Sequence, residues 1–111
     1  MSKAELALKV VAWLEQAPQP DDPRGWFTPE FAFDARGERV GFDVLAAKVR
    51  KGSLAAKMAL VSRVESGDAV ALLFEAVDEA AKTSSRRALF FRFAGEFVDS
   101  LTEIVDRKSV V

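Results

Sequence analysis

The chain has 111 residues, enough for one domain with its own core. Half of the residues are hydrophobic and 30% are charged, with 16 basic and 17 acidic side chains intermixed for a net charge of −1, so the concentrated positive field of a non-specific nucleic-acid binder is missing. Cys, His and Tyr are absent, which excludes disulfides, thiolate chemistry, imidazole bases and the usual soft metal ligands, and no metal or cofactor is expected.

At the N-terminus Ser2, with Glu5 three residues later, forms a capping box. Residues 4–16 then place Leu6, Val10, Trp13 and Leu14 on one helical stripe. Lys3, Glu5 and Lys9 break up any signal-like apolar stretch, and no apolar run reaches membrane-spanning length. A cytoplasmic location without membrane contact is therefore expected. The helix ends before Pro18, and Gln19-Pro20-Asp21-Asp22-Pro23 reads as a loop or tight turn. Residues 26–34 suit a short strand in which Phe31 and Phe33 alternate with Ala32 and Asp34, although Thr28-Pro29-Glu30 would also start a single helical turn. A polar turn follows around Gly37. Residues 43–51 read as a second helix, with Phe42, Leu45 and Val49 at helical spacing and Gly52 as the stop.

The last half reads as two hairpins, one turning at Ser66-Gly67-Asp68 and the other at Gly95. The expected strands cover 57–65, 69–78, 86–94 and 97–106. Alternation puts Met58, Leu60, Val64, Val70, Leu72 and Phe74 on one face, with Val61, Arg63, Ala71, Leu73 and Glu75 opposite. In the second hairpin Leu89, Phe91 and Phe93 oppose Ala88, Phe90 and Arg92, and Arg86-Arg87 reads as a solvated strand start. Both faces are thus substantially apolar. A half-solvated sheet would alternate more cleanly. The helices cover one face, and a homodimer through the other is expected, with Val61, Ala71, Leu73, Ala88 and Phe90 in the contact and Arg63, Glu75 and Arg92 at its rim.

The order helix, Phe27-Thr28-Pro29-Glu30, a strand ending at Asp34, a Gly-led helix at 41–50, then two hairpins closing on Leu101-Thr102-Glu103-Ile104-Val105-Asp106 resembles the nuclear transport factor 2-like superfamily. Within it, the chain is most similar to small bacterial SnoaL-like proteins related to polyketide cyclases and ketosteroid isomerases. The resemblance covers nearly the whole chain. It implies a single SnoaL-like domain over residues 1–111, of the α+β class, with a cone-shaped, curved, mixed but largely antiparallel sheet wrapped around N-terminal helices.

It also implies a pocket between sheet and helices, lined by Trp26, Phe31, Phe74, Phe91, Phe93 and Leu101 and suited to a hydrophobic small molecule. Asp34 falls where isomerases of this kind carry their base, and Glu103 is a candidate second carboxylate. Each has a plainer reading. Asp34 also suits a turn residue bonded to nearby backbone, and Glu103 also suits a rim partner for Arg24 or Arg39. The isomerase oxyanion hole needs a Tyr, absent here, and a late-strand Asp whose position falls at Leu89. An Asp-Arg-Asp water-activating group would have to use Asp34, Arg63 and Glu103, and alternation puts Arg63 on the face opposite Glu103. With one defensible polar group where an enzyme needs several converging, the expected function is non-catalytic binding of an apolar small molecule. The alternative is an isomerase, cyclase or hydrolase with Asp34 as general base.

Overall fold

The computed structural model describes residues 2–52, 54, 58–78 and 83–109. Helix α1 spans Lys3–Leu14. Its start is fixed by the expected capping box: Ser2 Oγ accepts from the Glu5 amide at 3.1 Å, and the Ser2 amide donates to Glu5 Oε1 at 3.5 Å. A short 3-10 helix at Pro23–Trp26 follows, capped by the Asp22 carboxylate on the Arg24 amide. Strand β1 (Phe27–Ala35) pairs with β2 (Glu38–Val40) through the two-residue loop Arg36-Gly37. Both loop residues have positive φ, 53° and 79°, as a type I′ hairpin turn requires. The polar turn expected from the sequence is therefore the corner of a hairpin, and Thr28-Pro29-Glu30 is strand rather than helix. Helix α2 covers Phe42–Arg50.

Four long strands complete the chain: β3 (Ala59–Ser66), β4 (Ala69–Asp78), β5 (Thr83–Ala94) and β6 (Phe97–Ser109). They match the expected strands, apart from an earlier start of β5 and a later end of β6; the expected start at residue 57 lies outside the described residues. Gly67 and Gly95 each lead a two-residue loop with positive φ, 57° and 62°, which an L side chain adopts only under strain. The strand order is β2-β1-β6-β5-β4-β3, antiparallel throughout except for the parallel β1–β6 pair. Register shifts interrupt β1–β6, β3–β4 and β5–β6. Such bulges bend and twist a sheet, and here the sheet curves around the helices.

The core lies between the inner sheet face and α1 and α2. Val70, Leu72, Leu89, Phe91 and Leu101 meet Ala7, Val10 and Leu14 of α1 and Leu45 of α2. Each fully buried Leu or Phe contributes about 1.5–3 kcal/mol by leaving water. At one end, Trp13 stacks on Phe42 (5.7 Å, 6° between planes), and Phe27 packs against both. Gln16, beyond α1, donates from Nε2 to the Val49 carbonyl at 2.9 Å and ties the two helices together. No helix among the described residues is long and apolar enough to cross a membrane.

One expected face assignment is corrected. Between Leu60 and Ser62 the register of β3 against β4 shifts, so Val64 pairs with Ala71 on the outer face, whereas Arg63 pairs with Leu72 on the inner one. The extra residue reverses the alternation beyond it. Arg63 therefore shares its face, and its row across the sheet, with Leu89 and Glu103, though two strands intervene.

Candidate functional site

Beside the core, the inner face opens into a cavity of about 460 Å³. Phe33 and Ala35 of β1, Val40 of β2, Leu54, Met58 and Val105 of β6 form its apolar walls. Arg36 and Glu38 of the β1–β2 corner are exposed and mark the mouth, with Lys48 of α2 half-buried nearby. Arg87 and Glu103 supply the buried charges.

Sheet register brings these two together. Arg87 on β5 faces Val105 on β6, while Glu103, two residues back, faces Leu89. The diagonal places both side chains on the inner face of adjacent strands. Glu103 Oε2 lies 2.6 Å from Arg87 Nε, which donates a hydrogen bond to it. Nη2 is equally close to the same oxygen at 2.6 Å, so the carboxylate sits against the Nε–Nη2 edge of the guanidinium. Arg87 is only 4% exposed. The Glu103 side chain is 7% exposed.

Arg87 thus corrects the expectation of a solvated strand start. Strand β5 begins at Thr83, so Arg87 lies well inside it, and the inward series Leu89, Phe91, Phe93 continues back to position 87. The partners considered for Glu103 are engaged elsewhere: Arg24 with Asp43 at 2.6 Å, and Arg39 with Asp34 at 3.7 Å.

Asp34 sits between two cavity-lining residues, Phe33 and Ala35, and does not line the cavity itself. Alternation turns it to the other face, where it pairs with Arg39, its cross-strand neighbour. Trp26, Phe31, Phe74, Phe91, Phe93 and Leu101 are all buried in the core. None lines this cavity; Phe91 borders a shallower groove on the outer face with Val64, Ala71 and Phe90. Of the expected pocket residues and the two candidate carboxylates, Glu103 alone enters the cavity. Among the described residues no cluster of acidic side chains is placed to hold a metal.

No protein-family model matches the sequence, and no curated protein matches it either. Solved structures match over nearly the full length. A protein from Sphaerobacter thermophilus superposes with a TM-score of 0.73 at 19% identity, covering 97% of this chain and 99% of that one. A nuclear transport factor 2-like protein of unknown function from Cytophaga hutchinsonii gives 0.67 at 13% identity, over 96% and 91%. A putative SnoaL-like polyketide cyclase from Jannaschia gives 0.68 at 14% identity, over 93% and 84%. The chain has the nuclear transport factor 2-like fold. Folds of this breadth host many activities, so the site of this domain has to be read from its own residues. Those are a cavity with one apolar wall, a charged mouth and one buried ion pair.

Proposed function

We infer that this domain binds a small, largely apolar molecule in the cavity between β1, β2, β6 and α2. The observation that carries the reading is the cavity itself. Its volume falls in the range of small-molecule sites, and an apolar wall of Phe33, Ala35, Val40, Leu54, Met58 and Val105 faces the polar and charged groups that line the rest. The reading is one of binding rather than catalysis. The carboxylate within the cavity, Glu103, is held by Arg87, and Asp34 lies on the other face of its strand. The test is an NMR titration with a panel of apolar small molecules, following the Met58 methyl group. Val40→Trp, which fills the cavity from β2, should abolish the shifts while leaving the fold intact. Equal shifts in both proteins would refute the site.

A second copy of the chain is the proposed cover for the outer sheet face. Two adjacent rows there, Val64–Ala71–Phe90–Thr102 and Ser62–Leu73–Ala88–Ile104, form an apolar band. Val64, Phe90 and Ile104 are 59%, 44% and 56% exposed. The Glu75–Arg86 ion pair flanks the band on one side and Arg92 on the other. A contiguous patch of this kind favours association, and a two-fold contact uses one patch twice.

A further inference from the structure

Positive charge is in excess at the mouth of the cavity and selects among ligands with an apolar body, an inference that rests on the cavity-binding reading above. Five charged side chains line the cavity. Arg87 and Glu103 are buried against each other at 2.6 Å and balance. That leaves Arg36 and Lys48 against Glu38. Among the described residues, neither Arg36 nor Lys48 takes part in an ion pair. Lys48 is half-buried on α2, where reduced screening makes an anion worth more to its ammonium than on open surface. Arg36 adds an independent sign. It stands at φ 53° in the first loop position of the β1–β2 hairpin, where Asn, Asp and Gly are the favoured residues. Backbone strain of this kind gathers at binding sites. Gln16, which also has positive φ, uses its side chain to bond the Val49 carbonyl, whereas the Arg36 side chain has no such partner among the described residues.

We propose that the cavity takes an anionic amphiphile, a small carboxylate whose apolar body lies along Phe33, Val40, Met58 and Val105 and whose charge stays at the mouth with Lys48 and Arg36. Deeper in, Glu103 already occupies the Arg87 guanidinium, so a second carboxylate has no counter-charge there. The chain as a whole carries a net charge of −1, so the attraction belongs to the mouth and not to the overall field. Glu38 is the competing influence, since it favours a cation.

Octanoate, octanamide and octylammonium share an apolar body and differ in charge. Titrations of the purified protein at low salt, followed by NMR, should show octanoate binding tightest and octylammonium weakest. Arg36→Asn should weaken octanoate about two- to fivefold, the range of an exposed ion pair, and leave octanamide within twofold. The same substitution should raise the urea midpoint, because Asn accepts the left-handed backbone more readily than Arg. A side chain serving the turn alone would not couple a gain in stability to a loss of anion affinity. Lys48→Gln should cost octanoate a similar factor, and Lys48→Glu should make octylammonium the tightest of the three. Octanamide binding as tightly as octanoate, octylammonium binding tightest to the unmodified protein, or an octanoate preference unchanged in both Arg36→Asn and Lys48→Gln would overturn this inference while leaving the cavity reading intact. Failure of all three probes to bind, or their undiminished binding to Val40→Trp, would overturn the cavity reading and this inference with it.

Discussion

Separating the Arg87–Glu103 pair should cost far more than removing it whole. Arg87→Met leaves the Glu103 carboxylate, 7% exposed in its side chain, without its counter-charge. An orphaned buried charge typically costs about 3–5 kcal/mol, against a total of about 5–15 kcal/mol for a domain of ordinary stability. At roughly 4 °C per kcal/mol for a chain of this size, the midpoint should fall by about 12–20 °C. Glu103→Leu should be similarly damaging, because it strands the guanidinium. Arg87→Met/Glu103→Leu should lie within about 1 kcal/mol of the unmodified protein or be more stable, since desolvating both ions offsets most of the attraction. The assay is urea unfolding followed by circular dichroism and by Trp13 and Trp26 fluorescence, with equal slopes as the check on two-state behaviour. The double-mutant cycle should give a coupling of about 5 kcal/mol or more. A double variant as unstable as either single one, or a single variant within about 1 kcal/mol of the parent, would refute the argument.

Other outcomes follow from the same geometry. Asp34→Asn removes a half-exposed cross-strand ion pair and should cost no more than about 1 kcal/mol. It should leave ligand affinity within twofold; a large loss in titration would return Asp34 to the site. Phe90→Arg and Ile104→Arg should convert a dimer to monomer in sedimentation velocity, and an unmodified chain that sediments as a monomer at micromolar concentration would remove the basis for self-association. Ser2→Ala should destabilise by about 1 kcal/mol through loss of the α1 cap, read from the urea midpoint.

The fold was largely legible because its signals are local. Ser2 and Glu5 mark a helix start, and Gly67 and Gly95 mark hairpin corners whose backbone other residues resist. The three-residue strand β2 gave too short a pattern to register, although Arg36-Gly37 suits its turn. The site was harder. Alternation back from Leu89 already pointed Arg87 inward, but its charge outweighed the pattern, because charged residues are rarely buried without a partner. That partner, Glu103, is sixteen residues away and becomes a neighbour only through the β5–β6 register. The β3 bulge left no trace in the hydrophobic pattern, so the faces of Arg63 and Val64 came out reversed. The cavity draws its walls from four strands, a helix and the segment between α2 and β3, which no local spacing encodes.

Strand β3 ends the sheet, and all eight of its residues are exposed. A long terminal strand offers a ladder of free amides and carbonyls to any passing β-segment, the usual seed of runaway stacking. Here the ladder carries its own deterrents. The irregularity after Leu60 breaks the flat register that an incoming strand would need. Beyond it, Arg63 and Glu65 put charges into what would otherwise be an adhesive stretch, and Lys3 donates to the Gly67 carbonyl at the hairpin tip. Growth of the sheet sideways is thereby discouraged while its broad face stays open, so any assembly this chain forms should be finite rather than fibrous.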